Sequence, residues 1–220
     1  MYLFHIVNSL ILEYFIIMEK VKFELLAATN NEHKLTEIRQ ILSPYGIKVL
    51  SLRDKNIEID VEENGTSYKE NALIKATALS KFTPMPLISD DSGIEVEALN
   101  NEPGIHTARY AKQVGGYNEA FKIIIEECKN KNNYNALFNC DIALVNYKTE
   151  PIIFEGRVPG RISSIPTSEG TGFGFDPIFI SNETGKTNAS LTVEEKNVFS
   201  ARAKALQQLI NYLKEEKIIL

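Results

Sequence analysis

The sequence predicts an α/β fold built on a mixed β-sheet. In the first hundred residues, short apolar runs alternate with helical patterns, and two long β-rich runs follow each other in the middle of the chain. Alternation of this kind is typical of parallel strands joined by helices, whereas adjacent β-rich runs are typical of an antiparallel hairpin. A sheet that contains both kinds of pairing is mixed. No repeat, linker or clean boundary divides the chain into contiguous domains.

The first half of the chain is predicted to alternate strands with helices. Apolar residues recur at helical spacing before the stop at 43–46, and Ser67 with Glu70 forms a candidate capping box for the next helix. The acidic segment 90–93 follows a short apolar strand. The predicted elements are strands over 23–28, 47–50 and 87–89, and helices over 35–42 and 67–81.

The second half is predicted to contain a hairpin between two helical regions. Ile94 and Val96 alternate with glutamates, which indicates a half-exposed strand before the Pro103-Gly104 turn. The segment 148–151 separates the two long β-rich runs. Thr192 and Glu195 can cap a helical turn. The predicted elements are helices over 117–128 and 200–213 and strands over 136–147 and 152–162.

Composition excludes several classes of protein. The 220 residues are 44% hydrophobic and 24% charged, which is ordinary for a globular chain and excludes wholesale disorder. The formal net charge of -5 argues against binding of nucleic acid or of a membrane surface, because both need a basic face. Cys128 and Cys140 are too few and too far apart for a disulfide framework or a zinc site, so we expect buried thiols in the cytoplasm.

The N-terminal segment is apolar but fits neither a membrane span nor a signal peptide. Asn8 and Glu13 interrupt it, it falls short of the ~20 residues of a span, and it lacks a basic leader. Regular folding signals begin after Met18. We therefore expect residues 1–17 to be an extension, Met18 to be the functional start, and 18–220 to form one domain.

Three segments carry residue types suited to chemistry. The polar turn 29–34 precedes a helix, where free N–H groups attract anions, although plain helix capping gives the same pattern. The segment 90–93 can hold a divalent cation or accept a proton, or it can form an Asx turn. The segment 170–177 interleaves glycines with two rings that can stack on a base, or it is a bend with core aromatics.

Several other residues are further candidates for the same site, and a few can be set aside. Three further carboxylates either lie near these segments in the folded chain or are solvated surface charges: Glu62, Glu63 and Glu70. The same two alternatives apply to the cations Arg109, Lys196 and Arg202. The segment 185–187 resembles the end of a P-loop without its first glycine, and His33 and His106 are isolated, so we expect surface residues there. Together, the cations, carboxylates and glycine-rich loop suit a nucleoside triphosphate.

Taken together, these motifs resemble the inosine/xanthosine triphosphate pyrophosphatase family, the non-standard purine NTP pyrophosphatases. Six segments match in the order of the family and span nearly all of 23–213. They are LAATNNEHK at 26–34, ENALIKA at 70–76, SDDSGIEV at 89–96, PGIHTARY at 103–110, GFGFDPIF at 172–179 and EEKNVFSARAKAL at 194–206.

The resemblance implies an elongated α/β fold with helices on both sides of a mixed sheet and two lobes around a nucleotide-binding cleft. It implies a homodimer that hydrolyses ITP, dITP and XTP to the monophosphate and pyrophosphate with Mg²⁺, and so cleanses the nucleotide pool. The alternatives are a pyrophosphatase for other modified nucleotides and a non-catalytic nucleotide-binding protein.

The resemblance also assigns roles to residues at the matching positions. Asp91 is implied as the general base, and Glu63 with Asp91 as the Mg²⁺ ligands. Residues implied to bind substrate are, at the phosphates, Thr29, Asn30, Asn31, Lys34 and Lys75, and elsewhere on the nucleotide, Ser92, Phe173, Gly174, Phe175, Asp176, Lys196, Ala201 and Arg202.

One position departs from the family pattern. The family reads Ser-His-Arg in the last motif, where this chain has Ser200-Ala201-Arg202. Ala201 cannot donate a side-chain hydrogen bond to a base, and a missing bond of this kind costs about 0.5–3 kcal/mol, the higher values applying to charged pairs. We therefore expect weaker discrimination against adenine, with phosphate chemistry retained.

Overall fold

The computed structural model describes residues 23–168, 170 and 172–220. The predicted extension over 1–17 and the expected start at Met18 lie outside the described residues. Within the described part, the strands are β1 (Phe23–Ala27), β2 (Ile47–Ser51), β3 (Leu87–Val96), β4 (Glu102–Pro103), β5 (Asn135–Val145), β6 (Ile152–Ile162) and β7 (Phe179–Ser181). The helices are α1 (Glu32–Leu42), α2 (Tyr68–Ser80), α3 (Thr107–Gln113), α4 (Tyr117–Lys131), α5 (Val193–Phe199) and α6 (Ala201–Glu215).

The strands form one mixed sheet in the order β2-β1-β3-β5-β6-β7, with β4 beside the end of β3. β1 pairs in parallel with β2 and β3, because a helix-containing crossover follows β1 and precedes β3. The remaining pairs are antiparallel, and the short connection 146–151 joins β5 to β6 as a hairpin. The predicted α/β class and mixed sheet are confirmed.

Helices cover both faces of the sheet, as the resemblance implied. Alternate residues of β1 enter two separate apolar clusters: Leu25 joins the cluster of α1 and α6, and Leu26 joins the cluster of α2. α6 contributes Leu206 and Leu209 to the first cluster, whereas α2 contributes Ala76 to the second. A period of two along a strand sends neighbouring side chains to opposite faces, so each strand serves both layers. The division into two lobes stays a prediction.

The sequence pattern indicated that the acidic segment 90–93 is a turn after a strand, and this is wrong. It lies inside β3, where Asp91 is opposite Asp141 of β5 and Asp90 is opposite Ile142. The long strand β5 carries the pairing past Ser89, so β3 continues to Val96. Asp90 and Asp91 therefore point to opposite faces, and the two carboxylates cannot share one cation as adjacent ligands.

The other long elements match their predicted positions to within a few residues, whereas the short strands β4 and β7 have no predicted counterpart. Ser67 caps α2 by accepting from the Glu70 N–H, but the Glu70 carboxylate accepts from Thr66 rather than completing the box at Ser67. The complete capping box is that of Thr192 and Glu195 at α5. The seven-residue helix α3 was not predicted, because it is too short for a clear period. No helix in the described part is long and apolar enough to cross a membrane.

Candidate active site

A cleft of about 670 Å³ is lined by residues from all six segments that carry the family resemblance. The lining includes Thr29, Asn30, Asn31, Lys34, Glu63, Lys75, Asp91, Ser92, Phe173, Gly174, Phe175, Asp176, Lys196, Ala201 and Arg202. The structure thus brings every residue to which the resemblance assigned a role to one cavity, whereas the candidate carboxylate Glu70 is absent from the lining. A volume of this size suits a small-molecule ligand, and polar groups at several points of the wall can fix its orientation. The individual roles of these residues stay predictions.

The turn between β1 and α1 forms part of the cleft wall. Asn31 caps α1, because its Oδ1 accepts from the N–H groups of His33 (3.0 Å) and Lys34 (3.3 Å). Thr29 Oγ1 in turn accepts from Asn31 N–H at 3.1 Å. The helix-capping interpretation is therefore correct for Asn31. Since this helix start also lines the cleft, the positive end of its dipole and the Lys34 ammonium face any bound anion.

Asp91 lies on the α2 face of the sheet, deep in the cleft wall. Its Oδ2 accepts from Asn71 Nδ2 at 3.0 Å and its Oδ1 from Ser92 N–H at 2.9 Å. Burial raises the pKa of Asp91 to about 6, and the charge of Glu63 adds to this rise, while the Asn71 bond opposes it. A carboxylate with this pKa is ionised at neutral pH yet is a stronger base than an exposed aspartate.

Glu63 and Lys75 form an ion pair beside Asp91. Lys75 Nζ lies 2.6 Å from Glu63 Oε1, and Arg109 Nη2 donates to the Glu63 carbonyl oxygen at 2.9 Å. Burial alone would lower the pKa of Lys75, but the carboxylates of Asp90 and Glu63 raise it above its usual value. Lys75 is therefore a firmly protonated cation in the wall of the cleft.

The donor set fits Mg²⁺ held together with a nucleotide. In the described part of the chain, no group of three or more His, Cys, Asp or Glu side chains could hold a metal ion. Glu63 and Asp91 place two carboxylates in the same cleft, and their charges already interact unfavourably. Mg²⁺ at nucleotide sites takes one or two carboxylates and completes its shell with phosphates and water. These residues can therefore hold Mg²⁺ jointly with phosphate oxygens.

The glycine-rich loop forms another part of the cleft wall. Phe173 is partly exposed, its N–H donates to Asp176 Oδ2 at 3.0 Å, and Lys196 Nζ lies 4.7 Å from its ring centroid. Phe175 is only 1% exposed and packs edge-on against Tyr117. Of the two interpretations left open for the segment 170–177, Phe175 fits the bend with core aromatics. Phe173 is the ring of the pair that can stack on a planar base.

The two cations of the last motif are already paired with carboxylates. Lys196 Nζ lies 2.6 Å from Glu37 Oε1 and 2.7 Å from Asp176 Oδ2. Arg202 is buried between Glu37 and Asp90, with Nη2 at 2.9 Å from Asp90 Oδ2. In the low dielectric of the interior, such pairs fix the direction of the remaining N–H groups.

Sequence reasoning missed two residues of this site. Glu37 is a buried charge within the apolar face of α1, and Asn71 is a buried amide beside Ala72 on α2. A charged or amide side chain on an apolar face was the available signal for both. Asp90 was recognised as part of the acidic segment 90–93, but the turn interpretation hid the strand alternation that buries it on the other face of β3 from Asp91.

His33 is exposed, as predicted, but it is not isolated. Its ring stacks on Phe173 with centroids 5.1 Å apart and planes at 14°. The first turn of α1 and the glycine-rich loop are thereby joined by two rings. Lys186, in the segment that resembles a P-loop, pairs with Glu195 at 2.7 Å and is absent from the cleft lining described above.

Comparisons with known proteins agree with this arrangement. A model of the Ham1 family matches residues 25–212. The dITP/XTP pyrophosphatase of Clostridium perfringens (strain 13 / Type A) is 40% identical over 195 residues, which are 85% of this chain and 95% of that protein. The dITP/XTP pyrophosphatase of Leptospira interrogans serogroup Icterohaemorrhagiae serovar copenhageni is also 40% identical over 195 residues, with 88% and 98% covered.

A solved structure supports the same relationship. The HAM1 protein from Coxiella burnetii aligns with a TM-score of 0.77 and 35% identity, over 88% of this chain and 99% of that one. The family match spans most of the chain, and these relatives are covered almost end to end. The resemblance inferred from six sequence segments is confirmed, and the chain belongs to the Ham1 family.

Proposed function

We propose that this protein hydrolyses non-standard purine nucleoside triphosphates, namely dITP, ITP and XTP, to the monophosphate and pyrophosphate. The observation that carries the proposal is the single cleft that joins the carboxylate Asp91, the cations Lys34 and Lys75, and the stacking ring of Phe173. A triphosphate with a planar base needs this combination. The relatives named dITP/XTP pyrophosphatases support it.

In this proposal, Asp91 is the general base. One carboxylate oxygen takes a proton from a water molecule, whose oxygen forms a bond to the α-phosphorus as the bond to the bridging oxygen of pyrophosphate breaks. Asn71 holds Asp91 in place, and the raised pKa of about 6 suits proton transfer near neutral pH. The water oxygen ends in the monophosphate.

Cations of the chain stabilise the charge that develops on the leaving group. Lys34, Lys75 and the first turn of α1 face the cleft, and positive charge at these positions lowers the cost of placing a tetravalent anion beside them. Glu63 and Asp91 would hold Mg²⁺, which when bound neutralises phosphate charge that would otherwise repel the attacking oxygen.

Base selection follows from the donors that lie near the Phe173 ring. Phe173 stacks on the purine, while Lys196 and Arg202 present N–H donors held by Glu37, Asp90 and Asp176. Donors match the 6-oxo group of hypoxanthine and xanthine and mismatch the 6-amino group of adenine.

The function is tested by a panel of ITP, XTP, GTP and ATP with pyrophosphate release as the readout. We expect turnover of ITP and XTP to exceed that of ATP. If ITP binds without turnover, the protein is a nucleotide-binding protein and the proposal is wrong. Turnover confined to modified pyrimidine or methylated nucleotides would likewise contradict it.

Ala201 is expected to weaken base selection, and the substitution Ala201→His to strengthen it. Ala201 lines the cleft directly before Arg202, so an imidazole there can donate to an oxo group. We expect the ratio of kcat/KM for ITP to that for ATP to rise about threefold to tenfold, equivalent to one neutral hydrogen bond. An unchanged or lower ratio would show that position 201 does not contact the base.

His33 is expected to support the stacking ring. The substitution His33→Ala removes the ring that packs on Phe173, and such pairs are worth about 0.5–1.5 kcal/mol. We expect KM for ITP to rise about twofold to tenfold with kcat nearly unchanged. His33→Phe retains the stack and should restore KM. Equal KM values for the alanine variant and the unsubstituted protein would contradict this role.

The assembly and location are also part of the proposal. The family resemblance supports a homodimer, and the two buried free thiols support a reducing compartment such as the cytoplasm. Light scattering coupled to size exclusion measures the first: a mass near twice 24.8 kDa is expected.

A further inference from the structure

We propose that Asp90 is a positioning residue that holds the phosphate end and the base end of the cleft in register. The inference rests on the proposed function, which assigns Lys34 to the phosphate end of the bound nucleotide and Lys196 with Arg202 to its base end. Asp90 is the neighbour of the general base in the chain, but it lies on the opposite face of β3, between α1 and α6. It therefore acts through other residues.

The geometry places one oxygen of Asp90 between two cations of the cleft. Asp90 Oδ2 lies 3.0 Å from Lys34 Nζ, 2.9 Å from Arg202 Nη2 and 3.3 Å from Arg202 Nε. Lys34 comes from the first turn of α1, and Arg202 from the first turn of α6. Asp90 is only 2% exposed, so these contacts form in an interior where charge-assisted bonds are strong.

The second oxygen of Asp90 forms no hydrogen bond with either cation. Asp90 Oδ1 is buried and has no hydrogen-bond partner among the described residues. Lys34 and Arg202 therefore depend on the same oxygen, and a change at one cation alters the contact available to the other. The paired Nε and Nη2 contacts also fix the plane of the Arg202 guanidinium, as a planar fork requires.

Glu37 provides a natural contrast. It also contacts Arg202, but its other partner is Lys196, which lies at the base end of the cleft. Glu37 thus holds two base-end cations, whereas Asp90 holds one cation from each end. Both side chains are buried acids on the same face of the sheet, so their amide variants form a matched pair.

This arrangement couples the two ends of the cleft. When a bound phosphate attracts Lys34, Asp90 Oδ2 interacts with Arg202 alone. Arg202 is then held more firmly in the orientation in which it contacts the base. Pre-organisation of this kind makes the first ligand lower the cost of binding the second. We therefore expect pyrophosphate and a nucleoside to strengthen each other's binding.

The test compares Asp90→Asn with Glu37→Gln, with kinetics and pyrophosphate inhibition as readouts. For Asp90→Asn we expect the ITP to ATP ratio of kcat/KM to fall and the inhibition constant of pyrophosphate to rise, each about fivefold or more. For Glu37→Gln we expect the ratio to fall while pyrophosphate inhibition stays within about twofold. The inference is overturned if Asp90→Asn slows both substrates equally and leaves inhibition unchanged, or if both variants weaken pyrophosphate alike.

A second measurement needs no substitution. In calorimetry on the unsubstituted protein, saturating pyrophosphate should lower the dissociation constant of inosine about fivefold, and inosine should do the same for pyrophosphate. Independent binding would overturn the inference even if Asp90→Asn fails to fold. The two failures remain distinguishable: absence of pyrophosphate release from ITP refutes the proposed function, whereas normal release without coupling refutes only the role of Asp90.

Discussion

The substitution Asp91→Asn is expected to lower kcat for ITP by about a hundredfold to ten-thousandfold, the range associated with loss of a general base. The amide keeps the shape of the side chain, and its single oxygen can still accept from Asn71, although the bond from the Ser92 N–H is lost. It cannot take a proton from water, and it removes one of the two candidate Mg²⁺ ligands. Steady-state pyrophosphate release measures the change.

Asp141→Asn is the matched control for this substitution. Asp141 lies directly opposite Asp91 on β5, is equally buried, and pairs with Arg157 outside the cleft lining. We expect its kcat to stay within about threefold of the original value. Similar losses in both variants would show that any charge change in this part of the sheet impairs the enzyme, and Asp91 would lose its special role.

Stability separates chemistry from unfolding in the same experiment. The folded-state pKa of Asp91 is raised from 3.8 to about 6, so the folded protein loses stability as pH rises between these values and carries the full penalty above them. Asparagine has no such penalty. In the presence of a chelator at pH 7.5, the Asp91→Asn variant should therefore melt no lower than the original protein. A lower melting temperature would attribute its inactivity to misfolding.

The substitution Arg202→Met is expected to lower the free energy of unfolding by about 3–5 kcal/mol, as the loss of one partner from a buried ionic group does. Arg202 is 7% exposed, and its removal leaves Asp90 and Glu37 buried with one fewer cation. Methionine fills most of the volume, so the loss reports the uncompensated charges rather than a cavity. Urea unfolding followed by circular dichroism measures it.

Arg53→Met serves as the control for a solvent-exposed pair. Arg53 Nη2 lies 3.5 Å from Glu32 Oε1, and both side chains are well exposed. Exposed pairs contribute about 0–1 kcal/mol, so the midpoint of unfolding should hardly move. A small loss for Arg202→Met, comparable to that for Arg53→Met, would mean that the buried carboxylates readily find other partners or protons.

The fold was predictable wherever a long run of β-forming residues was bounded by turn signals. The runs over 136–147 and 152–162 matched the strands β5 and β6 because both are long and rich in such residues, with the segment 148–151 between them. The segment 90–93 was misassigned because Asp, Ser and Gly also favour turns, and only pairing with the distant strand β5 decides between the two. Tertiary contact overrode local preference there.

The site was predictable in its membership and only partly in its geometry. The family resemblance assigned Lys34, Asp91 and Phe173 to one site, and in the structure all three line one cleft. The stacking of His33 on Phe173 joins residues 140 positions apart, which no local pattern can report. The same holds for Arg202 and Asp90, whose pairing depends on how α6 lies on the sheet.

The most direct test of the central claim is a complete account of the phosphorus products from dITP. Hydrolysis between the α- and β-phosphates yields dIMP and pyrophosphate in equal amounts, and ³¹P spectroscopy resolves both from substrate. We predict one pyrophosphate for each dIMP, with no dIDP and no early orthophosphate, and loss of both products in Asp91→Asn. Orthophosphate formed in step with dIDP would contradict the account.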